Sequence, residues 1–284
     1  NFTTATDAYN TAVGMSAGTA VTTGLENTLI GGRAGDALTD ADKNTAVGSE
    51  ALSADTLGNF STAVGRAALA NQNFTTATDV YNTAVGYNAG VEVTTGIQNT
   101  LIGGLAGDAL NTGLQNTALG YVALSADTKG QGAVALGYGA LFSQNFTTAT
   151  ANYNTAVGYN AGTNVTTGTM NTLIGGLAGD ALTTGQYNVA IGVDALSVED
   201  TASKSVAVGT SALAVQNAGT VDAYNVAVGH NSGVNVTTGI SNTLIGGLAG
   251  DALTDADYNV ALGLNALSSD TLGSRATAIG QGAL

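Results

Sequence analysis

Acidic side chains recur at fixed places along this chain. Asp36, Asp108, Asp180 and Asp251 each close a glycine-rich run, as in Gly103-Gly104-Leu105-Ala106-Gly107-Asp108. Carbonyl oxygens of such a turn beside a carboxylate are calcium-type ligands, but calcium takes roughly six to eight oxygens. These four Asp recur only about once in 72 residues. We therefore read them as solvated turns or local Asx caps rather than a metal site. Asp55, Asp127, Asp200 and Asp270 recur at the same long interval and are read alike. Asp40 and Asp42 sit together and return only as Asp255 and Asp257, where a weak cation site is the lesser reading. His230 is the only His, and its counterparts are Met15, Tyr87 and Tyr159. It has no partners for a triad, so it reads as exposed turn variation. No phosphate-cradling loop or paired carboxylate stands out either. No enzyme activity, cofactor or metal is expected.

Aromatic residues offer a second chemistry. Tyr9, Tyr81, Tyr153 and Tyr224 each precede an Asn, beside the longest connection between repeats. Phe2, Phe74 and Phe146 lie in that connection. Together these seven residues are a candidate glycan or receptor contact; the structural alternative is that they pin the connection to the body of the protein. Asn also recurs three positions before an aliphatic residue, at Asn10, Asn27, Asn44, Asn82, Asn99 and Asn116 among others. Carbohydrate binding is one reading. We favour a structural one, in which Asn tolerates a tight bend and bonds its neighbours' backbones.

What positions these residues is a repeat. Sixteen times an aliphatic residue is followed by Gly and, three residues later, by a small residue: Val13-Gly14…Ala17, Ile30-Gly31…Ala34, Val47-Gly48…Ala51, Val64-Gly65…Ala68 and onward to Ile279-Gly280. The steps are 17, 17, 17 and 21 residues, then the same again, then 17, 17, 17, 20, 17, 17 and 17. A short period nested in a longer one predicts a solenoid. The cassettes are 1–72, 73–144, 145–216 and 217–284, in one continuous repeat segment of 16 coils. Both ends fall within the repeat, which we read as a segment of a longer fibre.

Composition agrees with a ladder and excludes several partners. The 284 residues include no Pro and no Cys, so no ladder donor is lost and no disulfide or thiolate metal site exists. With 6 basic residues and a net charge of −14, nucleic acid is disfavoured. No run approaches the ~20 apolar residues of a membrane helix, so no membrane insertion is expected in this segment. The tripeptides Thr-Ala-Val, Val-Ala-Ile and Thr-Leu-Ile favour strand, and a Gly follows each too soon for a helix. A second strand is expected around each Ala-Leu or Ala-Gly. The fold class is thus all-β, a parallel β-solenoid with coils of about 17 residues.

Strand alternation divides each tripeptide between two faces. The first position is Thr in 11 coils and Val in 5, an interchange of similar shapes that suggests a packed, inward site together with the aliphatic residue. The middle position, Ala in 12 coils and Leu in 4, is then outward. An outward apolar stripe needs cover, which predicts burial against other copies of the chain.

Asn188-Val189-Ala190-Ile191-Gly192 and Ala276-Thr277-Ala278-Ile279-Gly280 resemble the head repeats of trimeric autotransporter adhesins. Asn154-Thr155-Ala156-Val157-Gly158-Tyr159-Asn160-Ala161-Gly162 is similar to runs in long tail-fibre proteins of phages and bacteria. These resemblances imply a left-handed β-roll, a homotrimer and an extracellular attachment fibre on a virion or cell surface. The coils here are longer than the adhesin unit of about 14 residues, so their turns must differ. With strands ~4.8 Å apart, sixteen coils would span roughly 75–80 Å. A structural shaft is the leading expectation. A host glycan- or receptor-binding module and a self-assembling filament or ice-binding solenoid are the alternatives.

Overall fold

The computed structural model describes residues 5–284, and among them all regular structure is β, with no helix. By internal packing the chain forms two units, Asn1–Tyr138 with Asn145–Ala151, and Gly139–Gln144 with Asn152–Leu284. The first unit carries eight three-residue strands, from Thr11–Val13 to Val134–Leu136; the second carries eight, from Thr155–Val157 to Thr277–Ile279. Within each unit every strand pairs in parallel with the next. Cα partners share the same place in the repeat, as in Thr83↔Thr100, Ala84↔Leu101 and Val85↔Ile102. The fold is a parallel β-solenoid of about sixteen turns.

The predicted faces are inverted. The middle residue of each strand points inward: Ala46, Ala63, Ala84, Leu101, Ala118, Ala156 and Leu173 are fully buried. The Thr/Val and aliphatic positions on either side of it face outward, with Ile30 39% and Leu119 42% exposed. The physical reason is width. A thin coil has room inside for Ala, or for Leu where glycines in the facing turns make space, so the β-branched residues stand outside. A position that is never polar is an interior signature, while a position holding a hydroxyl in most coils is a half-wet one.

Leu at the inward position is matched by lost volume nearby. A Cβ on Gly90 would lie 2.6 Å from Leu101 Cδ1, and one on Gly107 would lie 2.7 Å from Leu101 Cδ2. The coils of Ala46, Ala63, Ala118 and Ala135 instead carry a buried Leu in the following turn, at Leu52, Leu69, Leu124 and Leu141, while those of Ala84 and Ala156 carry Gly90 and Gly162 there, against Leu101 and Leu173 of the next coil. Large and small residues exchange places while core volume is kept.

The expected second strand does not form. The Ala-Leu and Ala-Gly segments are turns, although they still stack: Gly90 N–H donates to Ala106 O at 3.0 Å, and Leu69 N–H to Ala89 O at 3.1 Å. Left-handed backbone at Asn88 (φ 54) and Leu69 (φ 51) curls this segment back too tightly for extended pairing. Short additional ladders join Gly58–Asn59 to Thr78–Asp79, and Gly130–Gln131 to Thr150–Ala151. They hold down the longer connections between coils.

Candidate functional site

An outward strand face runs along all eight three-residue strands of each unit. Its columns alternate Thr or Val with a larger aliphatic residue, in register from coil to coil. Beneath its leading edge runs a buried Asn ladder. Asn99 accepts at Oδ1 from the Asn116 backbone N–H (3.0 Å), and its Nδ2 donates to Gly113 O (2.9 Å). Asn82 does the same for Asn99 (2.8 Å) and Gly96 O (2.7 Å). The structural reading of these Asn holds: burial removes Asn27, Asn44, Asn82, Asn99 and Asn116 from any sugar contact, and the exposed Asn10 joins the same ladder, accepting from Asn27 N–H at 2.8 Å. Asn99→Ala leaves the Asn116 N–H and Gly113 C=O without partners, at a cost of about 3 kcal/mol for the two. Urea unfolding of this variant is expected to show that loss; a change below about 0.5 kcal/mol would contradict the ladder's role.

The seven aromatic candidates do not converge. Phe2 lies outside the described residues. Phe74 and Phe146 are buried at 8% and 6% exposure, so the Phe residues do pin their connections. Tyr9 (74% exposed), Tyr81, Tyr153 and Tyr224 stand in solvent. Tyr81 stacks on Phe60 with ring centroids 5.1 Å apart. Lys204 sits 5.1 Å over the Tyr224 ring and donates to Asp222 (2.7 Å) and the Tyr224 hydroxyl (3.1 Å), which together hold its ammonium above the usual lysine range.

The acidic candidates act locally. The Oδ1 atoms of Asp36, Asp108, Asp180 and Asp251 are buried without a hydrogen-bond partner, so these turns are not simply solvated. Desolvation, with Glu92 nearby, pushes the Asp108 carboxyl up; desolvation, with Asp194 nearby, does so for Asp180. Asp40 accepts from the Thr23 hydroxyl, and Asp42 accepts from Leu25 N–H at 2.7 Å. Asp255 and Asp257 repeat this with Thr238 and with Ile240 N–H at 2.8 Å. Each Asp pair ties down the preceding coil. Among the described residues no group of three or more His, Asp or Glu is placed to hold a metal ion. No helix there is long and apolar enough to cross a membrane. His230 is exposed, as expected.

Asp55 is fully buried and organises the long connection. Its Oδ1 accepts from Gly58 N–H (3.1 Å) and Phe74 N–H (3.0 Å), and its Oδ2 accepts from Gln72 Nε2 (2.6 Å). Gln72 Nε2 also donates to Ser61 Oγ (2.9 Å), and Gln72 Oε1 accepts from Asn82 Nδ2 (2.9 Å). Asp127 binds Gly130 and Phe146 N–H in the same way, each at 3.0 Å. In the next copy the buried acid is Glu199, not Asp200: Glu199 Oε1 accepts from Ala202 N–H (2.8 Å) and Oε2 from Gln216 Nε2 (3.0 Å). Counting from Ala-Leu rather than from Asp-Thr would have aligned it correctly.

Desolvation, outweighing these hydrogen bonds, raises the Asp55 pKa above its ordinary 3.8. The folded chain therefore holds this proton more tightly than the unfolded chain does. That stabilisation is fully present below the unfolded value and is lost as pH rises through the folded value. Relative to Asp55→Asn, the parent chain should gain stability as pH falls from about 7 to about 4. Paired thermal melts across that range check this; a flat or opposite difference would contradict it.

Sequence reasoning missed the flanks of the strand face. There Arg33 and Arg66 converge on Glu50, with Arg66 Nη2 3.9 Å from its carboxylate. Lys43 lies 5.2 Å over the Phe60 ring. The signal was present as position within the coil rather than as a motif. No family model and no curated protein sequence matches this chain.

Proposed function

We propose that this chain is the structural shaft of an extracellular homotrimeric attachment fibre, built of 17-residue coils in four cassettes, with the outward strand face as the core between chains. The supporting observation is the outward aliphatic column: Val47, Val64, Val85 and Ile102 in the first unit, Val157, Ile174, Ile191 and Val208 in the second. Covering one such half-exposed side chain contributes on the order of 1 kcal/mol. Sixteen of them match or exceed the roughly 4–15 kcal/mol that association costs. Repetition without catalytic convergence suits a spacer that carries a binding tip away from a virion or cell surface. The exposed Tyr81, Tyr153 and Tyr224 lie at the border of this face, where a host glycan or receptor contact is the secondary role. Sedimentation velocity in dilute solution tests the proposal: it calls for a trimer, and a monomer overturns it.

The outward Thr column favours one other reading. Regularly spaced hydroxyls beside aliphatic side chains can order water on a flat face, as an ice-binding solenoid does. That reading needs the face uncovered. A monomer with thermal hysteresis would establish it in place of the trimer.

A further inference from the structure

Two charged columns border the strand face of the first unit. Glu26 and Lys43 lie just before the Asn of their coils, while Arg33 and Glu50 lie just after the Gly. Glu26, Lys43 and Arg33 are exposed and Glu50 is half-buried. Among the described residues, neither the Glu26 carboxylate nor the Lys43 ammonium has an ion-pair partner. On the opposite border two arginines share the single Glu50, which leaves positive charge in surplus there.

Resting on the trimer reading above, we propose that three copies of this chain associate in parallel and at the same height. Glu26 of each copy then faces Arg33 of the next, and Lys43 faces Glu50. A cyclic assembly that turns one face to a common axis makes heterologous contacts, so the leading border of one copy meets the trailing border of its neighbour. At equal height residue n stands opposite residue n + 7, which pairs 26 with 33 and 43 with 50, opposite charges both times. Raise one copy by a coil of 17 and n meets n + 24: Glu26 then faces Glu50, and Lys43 faces Ala67 beside Arg66. Lower it by a coil and n meets n − 10, so Lys43 faces Arg33. Each slipped register sets like charges directly opposite one another, Glu26 on Glu50 or Lys43 on Arg33, while the level one sets opposite charges in both places, with Arg33 and Arg66 flanking the Glu50 that Lys43 meets. Apolar columns that look alike from coil to coil cannot choose a register. Charges that reward one alignment and penalise its neighbours can.

The absence of Cys makes the test clean. The full chain is made as Glu26→Cys/Arg33→Cys, as each single variant, and as Arg33→Cys/Lys43→Cys, then oxidised and run on a non-reducing gel. Within one chain the strand Thr28–Ile30 separates positions 26 and 33. Their separation is on the order of 15 Å by strand rise, beyond disulfide reach. Covalent trimer is expected from Glu26→Cys/Arg33→Cys alone. Trimer from Arg33→Cys/Lys43→Cys, or covalent dimer from Glu26→Cys alone, would overturn the level register. Sedimentation of the parent chain separates the two claims. A monomer sinks the trimer and this inference with it, whereas a trimer that gives no cross-link from the 26/33 pair sinks the register alone.

Discussion

Gly86→Ala is expected to destabilise the chain by about 4 kcal/mol, the sum of left-handed strain and at least two broken inter-coil hydrogen bonds. Gly86 has φ +145, and a Cβ there would lie 2.3 Å from Gly103 O and 2.6 Å from Gly103 C. Those atoms are backbone and cannot rotate aside. Relief requires these two coils to part, which breaks the Gly103 N–H bond to Val85 O (2.8 Å) and the Leu105 N–H bond to Tyr87 O (2.9 Å). Gly176 is the control. Nothing lies within 4 Å of a Cβ built there, and its φ is not in the left-handed region. Gly176→Ala should stay within about 0.5 kcal/mol of the parent. Urea unfolding gives both numbers, and hydrogen exchange should place the Gly86→Ala damage in adjacent coils, because a solenoid loses order locally. Equal effects at the two glycines would contradict the stacked-glycine account.

Val85→Lys/Ile102→Lys is expected to abolish the proposed trimer while leaving the coil folded. Both side chains point outward and are half-exposed in the single chain. A lysine there keeps its ammonium in water until a second copy approaches. On association the two substitutions bring six ammonium groups into an apolar centre, each at a cost of several kcal/mol. Dissociation should rise by more than about a thousandfold, read as a threefold fall in mass with unchanged circular dichroism. Ala84→Lys, one residue away but inward and fully buried, should unfold its coil instead. If Val85→Lys/Ile102→Lys unfolds the chain and Ala84→Lys does not, the faces are assigned the wrong way round.

Much of this structure can be read from residue order, and the exceptions have physical causes. Every three-residue strand falls where an aliphatic-Gly pair predicts it, because a coil-to-coil glycine contact admits no side chain. The Asn ladder could be anticipated for a similar reason: a residue recurring at one bend, once per coil, is more useful to the backbone than to a ligand. The facing of the strands could not be settled by alternation, which separates Thr11 and Val13 from Ala12 but does not say which side is dry. Coil width decides that, and width depends on how tightly the turns close. The second strand was misjudged on the same ground, since residues such as Asn88 and Leu105 occupy left-handed backbone that only the closed coil imposes. Phe74 and Tyr81 occupy one connection and look equivalent as aromatics. Burial of the first beneath its loop and exposure of the second beside Phe60 depend on the fold. Glu199 was overlooked because Asp200-Thr201 imitates the Asp55-Thr56 pair one residue out of step.

Hydroxyl-radical footprinting of the intact chain tests most directly whether its aliphatic face is covered. Ile102, Leu119 and Ile174 are outward and partly exposed in the single chain. The account predicts that they resist oxidation at assembly concentrations, while Phe142, exposed in the turn just after the buried Leu141, reacts freely. Oxidation of Ile102, Leu119 and Ile174 at the rates of open side chains, in a chain that is otherwise folded, would contradict it.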